Sequence, residues 1–78
     1  MQVRIYGPGC ERCMEIESLV KDIVQQQGIK ADIYMVTEPV EWEKMGIRAT
    51  PALAINDQLK CEGRVPEGHE ITTWVRAI

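Results

Sequence analysis

The feature that most constrains this chain is a change of hydrophobic period across Gly7-Pro8-Gly9. Before it, Gln2-Val3-Arg4-Ile5-Tyr6 alternates polar and apolar residues, the pattern of a strand with one buried face. After it, Ile16, Leu19, Val20, Ile23 and Val24 fall at i, i+3, i+4, i+7 and i+8, which makes one stripe of an amphipathic helix from Glu11 onward. Gly28 suits the position just past that helix. A strand that runs through a tight turn into a helix is the opening of a βαβ unit, whose two strands lie parallel with a right-handed crossover.

The remaining segments extend that unit. Ala31 to Val36, with Ile33, Tyr34 and Val36, favours a strand. Thr37 is a candidate cap for a short helix that carries Pro39 in its first turn, holds Val40, Trp42 and Met45, and stops at Gly46. Ala52 to Ile55, the turn Asn56-Asp57, and Gln58 to Cys61 read as a hairpin. Glu67 to Ile78 places Ile71, Trp74, Val75 and Ile78 on one helical stripe. The predicted order is βαβαββα, an α/β chain with a four-stranded mixed sheet flanked by helices, formed by residues 1–78 as a single domain.

At 78 residues there is room for one core. A net charge of −3 gives no basic surface for a phosphate backbone, so nucleic acid is not an expected partner. No run approaches membrane-spanning length and Met1 to Gly9 lacks a signal-peptide pattern, so no membrane association and a cytoplasmic location are expected. A monomer is expected as well. Three cysteines, an odd count, argue against a secreted disulfide framework and point to thiol chemistry.

Cys10-Glu11-Arg12-Cys13 supplies that chemistry, because the pair sits where the strand gives way to the helix. Free backbone N–H groups and the positive end of the helix dipole favour a thiolate there, a contribution of roughly 0.3–1 kcal/mol when exposed. Cys10 is the expected nucleophile. Arg12 would support its thiolate and Glu11 oppose it. Cys13 shares the face of Ile16 and Val20, so it should be shielded and act as the resolving thiol. Such a pair performs thiol–disulfide exchange through a mixed disulfide, moving two electrons with no cofactor. The bland alternatives are two incidental thiols or a stabilising disulfide, and a loop this short constrains the unfolded chain little.

These residues resemble the thioredoxin/glutaredoxin superfamily, most closely its small redox-active disulfide members. The resemblance spans the whole chain and rests on Ile5 to Cys13, on Ala49-Thr50-Pro51-Ala52-Leu53, and on Gly63-Arg64-Val65-Pro66. It implies a thioredoxin-like fold, a thiol-disulfide oxidoreductase, protein disulfide or dithiol substrates, and a separate electron donor. It also implies that Pro51 follows a cis bond beside the cysteines, that the backbone of Thr50 pairs with an extended substrate, and that Gly63 lets a partner's backbone approach. The chain departs from larger relatives in lacking a tryptophan before Cys10, a Gly-Pro or Pro-Tyr dipeptide between the cysteines, and an Asp pair after Gly63. Neither glutathione recognition nor recycling by a standard thioredoxin reductase is implied.

Two other functions compete. A C-x-x-C at a strand–helix junction also suits soft metals such as Cu(I) or Zn, although metal-carrying domains of this size run βαββαβ and end on a strand, and two thiols leave zinc short of four ligands. A module whose disulfide state switches binding without catalysis is the other. Cys61 is expected to be a small buried hydrophobe on the face of Leu59, with a third exchanging thiol as the alternative. His69 is expected to be solvated, and Trp74 and Trp42 to belong to the core.

Overall fold

A computed structural model describes residues 1–77. The elements follow the expected order: β1 (Gln2–Tyr6), α1 (Glu11–Gln26), β2 (Asp32–Val36), α2 (Pro39–Met45), β3 (Ala52–Ile55), β4 (Gln58–Glu62) and α3 (Gly68–Arg76). Position 78, the last of the expected helical stripe, lies outside the described residues. The strands form one mixed sheet in the order β2-β1-β3-β4. β1 runs parallel to β2 and antiparallel to β3, and β3 is antiparallel to β4.

Alternation along the strands divides the core. Val3 and Ile5 of β1, with Leu53 and Ile55 of β3, turn to one face and pack against Ile16, Val20, Ile23 and Val24 of α1 and Ile71 and Val75 of α3. Tyr6, Ala52 and Ala54 turn to the other, where Trp42, Met45 and Ile47 cover them. β3 is buried on both faces, which explains its unbroken apolar run. Trp42 donates its indole N–H to the carbonyl of Val36 at 2.7 Å and so ties α2 to β2.

Two local readings are corrected. The residue that precedes α2 is Glu38, with φ −85° and ψ 116°, in place of Thr37. Pro39 is the cause: its ring excludes helical backbone from the residue before it, so the helix begins at the proline itself. Leu59 and Cys61 also lie on opposite faces. Ala54 pairs with Leu59 while Leu53 pairs with Cys61, so β4 carries one extra residue in a bulge. That residue breaks the alternation. Cys61 enters the core beneath α1 and α3, whereas Leu59 is exposed.

Asn56 and Asp57 both adopt left-handed backbone, φ 49° and 66°, which suits a two-residue hairpin turn. The Asn56 side-chain carbonyl accepts the Gln2 N–H at 2.8 Å, and Asp57 pairs with Arg4 at 2.6 Å. The turn is thereby anchored to the central strand.

Candidate active site

Cys10 caps α1 with extended backbone, φ −74° and ψ 176°, and its carbonyl accepts the Met14 N–H at 3.0 Å. Its side chain is exposed. Cys13 follows one turn later on the stripe that holds Ile16 and Val20, and it is fully buried. The two sulfurs lie 3.2 Å apart as free thiols in hydrogen-bonding contact.

The two thiols differ in acidity for identifiable reasons. Cys10 is lowered below an ordinary thiol, chiefly because the Cys13 thiol donates to its sulfur, and next because the Cys13 backbone N–H does so. Smaller help comes from the N–H groups of Arg12 and of Cys10 itself. Cys13 is raised, first by burial and then by the bond it gives to Cys10. The exposed sulfur therefore ionises first.

The contest expected between Arg12 and Glu11 is absent from the leading causes. The Arg12 guanidinium instead donates to the carbonyl of Gly63 at 3.0 Å. The Cys13 thiol, and after it backbone N–H groups at the helix start, lower Cys10 in place of either side-chain charge.

The other sequence candidates meet at the same end of the sheet. The Thr50–Pro51 peptide bond is cis, and Pro51 is buried. Its carbonyl accepts the Gly63 N–H at 2.8 Å. Thr50 is half-buried, and among the described residues neither its N–H nor its C=O is bonded to another backbone group. Gly63 has φ 78°, and a Cβ there would come within 3.1 Å of the Cβ of Ala49. That backbone and that crowding both favour glycine.

Gly7 and Arg12 take part in ways the sequence reading missed. Gly7 is buried, and a Cβ on it would overlap the sulfur of Cys13 and lie 3.8 Å from the Cα of Pro51. Gly7-Pro8-Gly9 reads as a stop signal, and nothing local shows that its first glycine faces a thiol. The Arg12 bond spans 51 positions of sequence and has no local signature. Cys61 lies in the same buried cluster as Cys13, and burial raises its thiol. His69 is exposed at the start of α3.

Among the described residues, no cluster of three or more His, Cys, Asp or Glu side chains is arranged to hold a metal ion, and no helix is long and apolar enough to cross a membrane. What the arrangement offers is an acidic, accessible sulfur touching a protected one.

Comparison with known proteins places the chain in a family. The family model described as Thioredoxin domain matches residues 1–76. A thioredoxin of Methanothermobacter thermautotrophicus is 35% identical over 71 residues, covering 91% of this chain and 92% of its own length. One from Methanocaldococcus jannaschii is 38% identical over 72 residues, covering 88% of this chain and 79% of its own. A probable thioredoxin of Archaeoglobus fulgidus is 30% identical over 79 residues, covering 92% and 81%. With a matching domain over nearly its whole length and relatives above 30% identity, the chain belongs to the thioredoxin family, in its small thioredoxin-like form.

Proposed function

We propose that the chain exchanges a Cys10–Cys13 dithiol for disulfides in protein substrates. The observation that carries this reading is an exposed thiol of lowered pKa at a helix start, 3.2 Å from a buried thiol of raised pKa. The Cys10 thiolate attacks one sulfur of a substrate disulfide. A mixed disulfide forms, and the other substrate sulfur leaves as a thiolate and takes up a proton. Cys13 then loses its proton and attacks the Cys10 sulfur. The second substrate thiol is released, and Cys10 and Cys13 are left joined. An external dithiol donor returns the two electrons and two protons.

Thr50, Pro51 and Gly63 serve substrate binding in this reading. The unpaired backbone of Thr50 offers an edge on which an extended substrate segment pairs as a short added strand. Gly63 has no side chain to obstruct it. A reducing, cytoplasmic setting suits the free thiols of Cys10, Cys13 and Cys61, and the protein acts as a monomer.

Reduced protein should reduce the interchain disulfides of insulin with dithiothreitol as donor. Cys10→Ser should abolish this, and Cys13→Ser should accumulate a mixed disulfide visible by mass spectrometry. Activity that survives Cys10→Ser would overturn the assignment. So would alkylation of Cys10 no faster at neutral pH than that of an ordinary thiol.

A further inference from the structure

Three bonds converge on two consecutive residues at the end of β4. The Glu62 carboxylate accepts the backbone N–H of Arg48 at 2.8 Å. The Gly63 N–H donates to the carbonyl of Pro51 at 2.8 Å. The Gly63 carbonyl accepts from the Arg12 guanidinium at 3.0 Å. The first two fasten β4 to the segment that holds Thr50 and Pro51. Only the third links that assembly to the first turn of α1, where Cys10 presents its sulfur.

We infer that Arg12 is a positioning residue for protein substrates, its guanidinium fixing the distance between the Cys10 end of α1 and the Gly63 loop so that a chain paired on Thr50 meets Cys10 in register. This rests on the proposed exchange function. Exchange needs the substrate sulfur in line with the Cys10 sulfur. An extended substrate takes its position from Thr50, on one side of the Arg12 link, while the attacking atom stands on the other. A small disulfide makes no strand contact and reaches Cys10 alone. Arg12 therefore favours protein over small disulfides through alignment and not through the acidity of Cys10, whose leading hydrogen-bond partners are Cys13 and backbone N–H groups. Lysine can still reach the Gly63 carbonyl with one donor, whereas methionine keeps much of the length and has no donor.

The test compares wild type, Arg12→Met and Arg12→Lys on insulin and on dithionitrobenzoate, a small aryl disulfide. Arg12→Met should lower kcat/KM for insulin about fivefold, mainly through kcat because a bound chain then meets Cys10 out of register, a size expected for loss of one charge-assisted bond at an exposed site. Its rate with dithionitrobenzoate and the pH midpoint of Cys10 alkylation should match wild type. Arg12→Lys should recover most of the insulin activity. An unchanged insulin kcat in Arg12→Met overturns the inference, as does an equal loss on both probes, a shifted alkylation midpoint, or failure of lysine to restore activity. Wild type inert toward both probes would instead remove the oxidoreductase reading on which the inference stands.

Discussion

The two faces of the sheet are built to different depths. Toward α1 and α3 lie fully buried Val3, Ile5, Leu53 and Ile55, met by Ile16, Val20 and Ile71. Toward α2 the buried residues are Tyr6, Ala52 and Ala54, and α2 buries none of its own side chains fully. Tyr34 and Leu59 remain exposed. The deep face also holds Cys13, so the helix that aims the cysteines is set by the best-packed part of the molecule. The shallow face acts as a cover. Precision at the thiol pair is thus a by-product of where most apolar area is removed from water.

Substitutions at matched depth should break or sharpen this contrast. Leu53→Ala empties the centre of the deep face and should cost about 3–4 kcal/mol in urea unfolding. For a chain of this size that approaches the whole margin of stability. Gly7→Ala should cost about 1–3 kcal/mol by overpacking the Cys13 sulfur. Because Cys13 is the main donor to Cys10, the same change should slow Cys10 alkylation at neutral pH. A stability loss with unaltered alkylation would separate the thiol pair from the deep face.

On the cover, Trp42→Ala removes a half-buried indole and its bond to Val36, and should cost about 1–2 kcal/mol while Cys10 alkylates at the wild-type rate. A cost equal to that of Leu53→Ala would abolish the distinction between the faces.

The smallest effect belongs to the surface of α3. Glu70 accepts two bonds from Arg64, at 2.8 Å each, and one from the Glu67 N–H at 3.0 Å, and these hold its carboxyl at about 2, below the ordinary 4.5. A folded-state value below the unfolded one means that Glu70 stabilises fully above the ordinary value, and that this contribution fades as pH falls toward about 2. Glu70→Gln should flatten the acid limb of the unfolding midpoint over that window and leave the thiol reactions unchanged.

How much of this was legible in the sequence depended on how local the cause was. Hydrophobic periods, with turn and cap residues where the period fails as in β3, identified every element because each signal is written in residues a few positions apart, and the C-x-x-C declared its place at a helix start. The cap of α2 is equally local, since Pro39 dictates the backbone of Glu38. The face of Cys61 was not, since the bulge in β4 is defined only against β3. The contact of Gly7 with Cys13 and the reach of Arg12 to Gly63 were hidden for the same reason. They depend on which loops the sheet brings together, and residue spacing carries no record of that.

Gly7 stands at the seam between architecture and reactivity. Its lack of a side chain leaves room for a sulfur atom, so the space that a methyl group would fill elsewhere is occupied here by the Cys13 sulfur, the atom that completes each turnover in the proposed exchange. A chain built this way cannot tighten its interior at that point without displacing the Cys13 sulfur. Sequence drift that enlarges position 7 should therefore persist only in descendants that have given up the second thiol.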